Sequence, residues 1–465
     1  MAPRRIDPRS VRAASNDPNA EVLRALYAYA PPDAGAPCTI EHDGRSIAAR
    51  EGEPVAISLL AAGVDTLSRS VKFHRPRGPM CLRGNCEGCL VRLDGEPNRM
   101  ACTAPSRDGR EVRSQNSFPS AQIDILRVTD WFFPKQFDHH HLMVRYGTTI
   151  NEVMQSFARK MAGLGTLPER PERAPAPETI DCDVLVVGLG PVGLSVATAL
   201  ARAGHSVCAV EEEPFVGGWM RDSLRWFDRD GRRVCGAEAS DRDLAALRAA
   251  GASVRVSASA CATFDDGTIV IQSDRALWVR PRARVFANGC HESVGAFGDN
   301  DMPGIFTARA AARALRYGVR VGESVLVCGP QEDPELDALS DALSAAGATV
   351  HRLPEGASLI EALGASSVTG ALVGKGESDA HKIKCDAIVA PTSRTPAFEL
   401  AGQAGVEAAQ DLDRQCFAAR GDEFGRTQRE DVFVAGSVAH GGRSPVRERA
   451  IVGSVEAWLE KGRGR

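Results

Sequence analysis

The stretch DVLVVGLGPVGLSVATALARAGHSVCAVEEE, residues 183–213, decides the fold. An apolar run ends at Gly188-x-Gly190-x-x-Gly193, a helix-forming segment follows, and a second apolar run ends at Glu211. A glycine triplet means little alone, but here it lies in the strand-turn-helix-strand context that gives it a task. Glycine lets backbone approach a pyrophosphate, the N-terminus of the helix that follows favours its negative charge, and an acid after the second strand can accept from ribose hydroxyls. Gly188, Gly190, Pro191, Gly193, Glu211 and its neighbour Glu212 are therefore the first candidate residues for a dinucleotide, and the fold class is α/β.

Working outward, Gly217-Gly218 and the FANG segment at 286–289, with Asn288 and Gly289, extend the pattern found in flavoproteins with two dinucleotide-binding units. The closing strand reads VFVAGSVAHGG from residue 432, which adds Gly436 and Ser437. Flavoproteins of this type put an Asp at the Ser437 position, so FAD and NAD both stay open for the pocket. A second strand-turn-helix unit, SVLVCGPQEDPELDALSDALSAAGATVHRL at 324–353, lacks the spaced glycines and sets acids where a phosphate would lie. Like-charge repulsion disfavours a nucleotide there, and the unit, spanning about 323–390, reads as degenerate.

The second informative stretch is CLRGNCEGCLVRLDGEPNRMAC, residues 81–102. Cys81, Cys86 and Cys89 follow a C-x4-C-x2-C spacing and Cys102 follows after twelve intervening residues. Such a loop can wrap one edge of a [2Fe-2S] cluster, with Gly84 and Gly88 letting backbone N–H groups reach the sulfurs. Four thiolates also suit zinc, but structural zinc sites more often use two separated C-x2-C pairs. The strands and turns around the loop, including Asp43-Gly44 and Asp94-Gly95, suggest a small α+β domain of β-grasp, ferredoxin-like type.

The chain has 465 residues, 43% hydrophobic and 25% charged, with a formal charge of -4. That length implies more than one core, and that charge offers no broad basic field for nucleic acid. No apolar run long enough to span a membrane is present, and thirteen cysteines, an odd number, fit a reducing compartment; a cytoplasmic protein is expected. The expected divisions are a flexible N-terminal arm at 1–36, a [2Fe-2S] domain at 37–120, a connecting helix and Pro-rich linker at 121–180, and a FAD/NAD(P)-binding domain at 181–465.

Four further segments, SVKFHRPRG (70–78), ARKMAGLGTLP (158–168), FANGCHES (286–293) and FGDNDMPGIFTARAAARALRYGV (297–319), make the chain from about residue 38 onward resemble the alpha subunit of heterotetrameric sarcosine oxidase. The four-cysteine spacing resembles the small [2Fe-2S] subunits of hydrogen cyanide synthase, opine oxidase and hydroxyproline dehydrogenase. The resemblance implies an electron-transfer subunit of a multi-subunit amine or amino-acid oxidising enzyme. Its partners would be an FAD-containing subunit of the glycine or sarcosine oxidase beta type, which oxidises the C–N bond, and a further small subunit. It also associates the Ser437 pocket with NAD. Formaldehyde transfer to folate is not expected of these residues. Two rivals remain: a stand-alone NAD(P)H-dependent flavin and iron-sulfur reductase, and a non-catalytic assembly subunit with structural NAD.

His291, after the FANG turn, is a candidate for proton transfer, weighed against a structural hydrogen bond. His139, His140 and His141 are adjacent and so point apart, which favours a loop over a metal site. Arg75 and Arg77, just ahead of the cysteine loop, suit an acidic partner or a cofactor phosphate, or equally a solvated basic loop.

Overall fold

The computed structural model describes residues 4–13, 20–70, 74–117, 120–125, 175–412, 415–439 and 444–461, with a few positions between 149 and 156. The chain forms two compact units, residues 1–170 with 294–392, and residues 171–293 with 393–465. The second strand-turn-helix segment thus packs with the cysteine-rich region.

In the first unit, strand Pro37–His42 alternates exposed and buried residues, with Cys38, Ile40 and His42 inward. It pairs antiparallel with Arg45–Arg50 through the Asp43-Gly44 turn. Both turn residues have positive φ, 49° and 77°, the twist that suits a two-residue hairpin. The five-stranded sheet runs Arg45–Arg50, Pro37–His42, Glu111–Arg113, Leu90–Leu93, Glu96–Met100. Its central pair, Pro37–His42 with Glu111–Arg113, is parallel and the others are antiparallel. The wholly buried helix Val55–Ala61 supplies the core. This is the β-grasp arrangement. The N-terminal segment differs from the expected arm: Glu21–Tyr29 is a helix with Val22, Leu23, Leu26 and Tyr27 buried. That spacing marks one apolar helical face, and the Tyr27 hydroxyl donates to Leu315 O at 2.7 Å. Arg4 pairs with Asp65 with both side chains nearly inaccessible.

The remainder of this unit is a parallel sheet in the order Ile305–Phe306, Ala387–Val389, Ser324–Val327, Thr349–Arg352, beside an antiparallel sheet of Ser358–Gly364, Val368–Gly374 and His381–Ile383. Arg75 and Arg77 are bound to Asp299 and Asp301 of this segment. The acidic partner considered for them is thus found within the chain, and both side chains remain partly exposed.

In the second unit, strands Ser253–Arg255, Val207–Val210, Glu178–Val187 and Leu277–Phe286 run parallel in that spatial order. Val432–Val434 joins parallel beside the end of Leu277–Phe286, while Ile269–Gln272 pairs antiparallel with its start. The last four residues of Glu178–Val187, Val184–Val187, are buried in unbroken succession, as expected of a parallel strand covered on both faces. Val184 and Val186 join the core beneath helices Pro191–Arg202 and Pro445–Lys461, whereas Leu185 and Val187 join the opposite core with Phe286 and Val434. Arg284, 2% exposed, pairs with Asp431 and fixes where the closing strand enters.

Candidate functional site

The parallel topology carries the dinucleotide candidates to one edge. Gly188, Glu211, Asn288 and Gly436 each stand just beyond the carboxyl end of one of the parallel strands, the edge at which open α/β sheets bind ligands. Gly188 has φ +91° and Gly193 nests against it: a Cβ on Gly193 would stand 1.9 Å from Gly188 O. Gly190 has open space where its Cβ would be, and no side chain caps the helix it begins. The cap glycine thus offers the first-turn N–H groups no side-chain acceptor of its own, a setting that fits an anion. Gly217, φ +113°, donates its N–H to Leu189 O at 2.8 Å. A Cβ on Gly218 would lie 3.1 Å from Gly190 Cα, so these two glycines flank the first loop.

Glu211 is 7% exposed and turns onto the loop itself. Its carboxylate accepts from Leu189 N–H at 2.7 Å and from Glu213 N–H at 3.2 Å. Burial pushes its carboxyl up to about 7, opposed by those two donors. Lone pairs remain for ribose hydroxyls, but its evident structural work is to hold the glycine loop, a task the sequence does not advertise. Glu212 is exposed. Asn288 donates through Nδ2 to Ala397 O at 2.5 Å, and its Oδ1 is buried with no partner, an acceptor available to a bound dinucleotide. Gly289 O accepts from Ala397 N–H. Gly436, φ +74°, packs against Val192, and Ser437 follows in a short 3-10 turn. His291 is 41% exposed with Nε2 3.9 Å from Glu399 Oε2; its partner is this surface carboxylate.

The second strand-turn-helix unit behaves differently. Asp333 caps helix Pro334–Ala345, its carboxylate accepting from Glu335 and Leu336 N–H. A carboxylate therefore occupies the helix N-terminus where a phosphate would sit.

The cysteine loop brings its four residues together. Cys81, Cys89 and Cys102 are 4%, 2% and 4% exposed, while Cys86 is partly exposed between Asn85 and Glu87. Cys86 is hydrogen-bonded to Cys81, and Cys102 to Cys89. The bond from Cys86 and the N–H groups of Arg83 and Asn85 draw the Cys81 thiol down, whereas the same bonds, with burial, push Cys86 and Cys102 up. Arg83 and Asn85 N–H approach Cys81 Sγ at 3.4 and 3.3 Å, and Gly84 N–H approaches Cys102 Sγ at 3.1 Å. Gly88 lies close to the backbone ahead of the loop: a Cβ there would stand 2.3 Å from Gly78 O. Among the described residues no three His, Cys, Asp or Glu side chains form a group suited to one metal ion. Two thiol pairs with N–H donors aimed at sulfur suit a cluster in which each of two irons takes two thiolates. His139–His141 lie outside the described residues, as does the 158–168 segment; of the connecting helix expected within 121–180, Glu152, Val153 and Ser156 are described and are helical. Sequence reasoning missed Arg313 and Thr307, which reach the cysteine loop from more than two hundred positions away.

Comparison with known proteins agrees with this geometry. The 2Fe-2S iron-sulfur cluster binding domain family matches residues 35–117, and the NAD(P)-binding Rossmann-like domain family matches residues 186–240. The sarcosine oxidase subunit alpha of Rhizobium meliloti is 29% identical over 320 residues, covering 63% of this chain and 32% of that protein. The hydrogen cyanide synthase subunit HcnA of Pseudomonas aeruginosa is 37% identical over 79 residues, covering 17% of this chain and 75% of that protein. The chain spans about a third of the length of the sarcosine oxidase alpha subunits it matches. In fold it is similar to an L-proline dehydrogenase from P. horikoshii, with a TM-score of 0.67 at 20% identity over 93% of this chain and 74% of that one. The cofactors expected from the sequence, a [2Fe-2S] cluster and a dinucleotide of the FAD or NAD kind, thus each have a matching domain. No described helix is long and apolar enough to cross a membrane. The chain is thus similar to sarcosine oxidase alpha subunits over most of its described length, and it joins a 2Fe-2S iron-sulfur cluster binding domain to an NAD(P)-binding Rossmann-like domain in one polypeptide.

Proposed function

We propose that this chain is the electron-transfer subunit of a multi-subunit, FAD-dependent oxidase or dehydrogenase acting on amines or amino acids of the sarcosine, opine or glycine type. The observation that carries the reading is the contrast between the two helix N-termini. The helix after Gly190 begins uncapped, whereas the helix after Asp333 is closed by that residue's own carboxylate. A chain that took electrons from NAD(P)H onto a flavin unaided would need two working dinucleotide sites, and the second is closed to phosphate.

In this reading Cys81, Cys86, Cys89 and Cys102, within a domain at 37–120, hold the [2Fe-2S] cluster. Gly188, Gly190, Pro191, Gly193, Gly217 and Gly218 give the pyrophosphate a close backbone approach. Glu211 steadies that loop and receives the ribose, with Glu212 at its rim. Asn288 and Gly289 present backbone and an amide oxygen to the dinucleotide, and Gly436 and Ser437 close the pocket. When bound, a flavin would supply a group able to take up two electrons together and give them up one at a time, which matches the single-electron capacity of a [2Fe-2S] cluster. Amine oxidation itself falls to a partner subunit of the glycine or sarcosine oxidase beta type. His291 stands at the surface 3.9 Å from Glu399 and remains the candidate for proton transfer, and the cytoplasm is the compartment that would keep the thiols reduced.

The test is anaerobic purification followed by an absorption spectrum, metal quantitation and chromatography of the nucleotide released by acid. Two irons per chain with FAD are expected. Two irons with NAD and no flavin would move flavin chemistry to the partner and favour an assembly role for this chain. Zinc without iron would sink the reading.

A further inference from the structure

We infer that Arg313 is a positioning residue for the cluster, setting its reduction potential through one peptide group. The inference rests on Cys81 being a cluster ligand. Helix Ala308–Arg316 reaches the cysteine loop on both sides of that residue. At the helix start, Thr307 N–H donates to Met80 O at 3.0 Å. One helical face along, the buried Arg313 guanidinium donates to Leu82 O at 2.9 Å. Cys81 is bracketed by these two bonds.

The Leu82 carbonyl belongs to the same peptide group as the Arg83 N–H, and that N–H points at Cys81 Sγ from 3.4 Å. A cationic donor on the carbonyl side polarises the amide and makes its N–H a better donor on the other side. Hydrogen bonds to cluster sulfurs stabilise the more negative, reduced state and so raise the potential. Arg313 also holds Leu82 in place: this residue is 1% exposed with φ +52°, a left-handed backbone unusual for a leucine. Burial of a guanidinium is costly and is retained where its hydrogen bonds have work to do. The segment 294–392, whose nucleotide end is closed by Asp333, thereby has a positive role as the seat of the cysteine loop.

The test is a redox titration of the full chain, anaerobically purified, as wild type, Arg313→Gln and Arg313→Lys, with iron counted in each. Iron in the wild type is measured first: its absence would remove Cys81 as a ligand and the inference with it, independently of any variant. With two irons retained, Arg313→Gln is expected to shift the reduction equilibrium about tenfold toward the oxidised cluster, roughly 59 mV for a one-electron couple. Arg313→Lys, which keeps the cation, should shift it less. An unchanged potential in Arg313→Gln at full iron content would overturn the inference. Should the Gln variant not fold, Arg313→Met, which keeps an extended side chain without charge or donor, is read the same way: a lower potential at full iron content supports the role and an unchanged one ends it.

Discussion

Replacing Glu211 by Gln tests whether the glycine loop rests on a buried carboxylate. Burial moves this carboxyl from 4.5 up to about 7, a difference worth about 3 kcal/mol between its two protonation states. The folded chain therefore binds more protons than the unfolded chain between those two values. Its stability falls as pH rises through that window, and the full cost stands above pH 7. Glutamine keeps an oxygen for Leu189 N–H and carries no charge, so the variant lacks this slope. Urea unfolding of the nucleotide-stripped chain, followed by tryptophan fluorescence from pH 4.5 to 8, should show the variant gaining about 3 kcal/mol over the wild type across the range. Dinucleotide binding should respond oppositely: ribose hydroxyls donate to the ionised carboxylate, so wild-type affinity should rise with pH through 7, and the variant's should not. Parallel stability curves for the two proteins at every pH would refute the reasoning.

Gly193→Ala would set a Cβ 1.9 Å from Gly188 O; nucleotide co-purifying with the chain, measured by chromatography after acid release, should be lost. Cys86→Ser removes one thiolate of the first pair, and iron per chain and the visible absorption should fall together while the 171–293 and 393–465 unit still retains nucleotide. Asp333→Ala deletes the carboxylate that accepts from Glu335 and Leu336 N–H; a loss of about 1 kcal/mol is expected in urea unfolding, with no NAD(P)H binding gained in a calorimetric titration.

Features written in short range were legible in the sequence. The glycine loop is local, and strand, turn and helix each carry their own signal within 183–213. The cysteine spacing is equally local, and both hairpin turns are marked by Asp-Gly. The helix Glu21–Tyr29 is written in the spacing of Val22, Leu23, Leu26 and Tyr27, but short length and Ala- and Pro-rich flanks make the same residues read as an arm. Glu211's inward turn depends on burial, which no spacing records. The seating of the cysteine loop was illegible for a different reason: Arg313 and Leu82 are 231 positions apart, and an arginine on an alanine-rich helix looks like any solvated residue until the fold buries it.

Both compact units are assembled from two separated stretches, because residues 294–392 interrupt one and complete the other. During synthesis the four cysteines emerge long before Thr307 and Arg313, and Arg284 must wait for Asp431, 147 positions later. Each unit thus closes only through contacts of large sequence separation, the kind that slows folding and leaves unpaired strand edges exposed meanwhile. Delivery of iron to this loop should accordingly be a late event in the life of the nascent chain, after the ribosome has passed the helix that seats it.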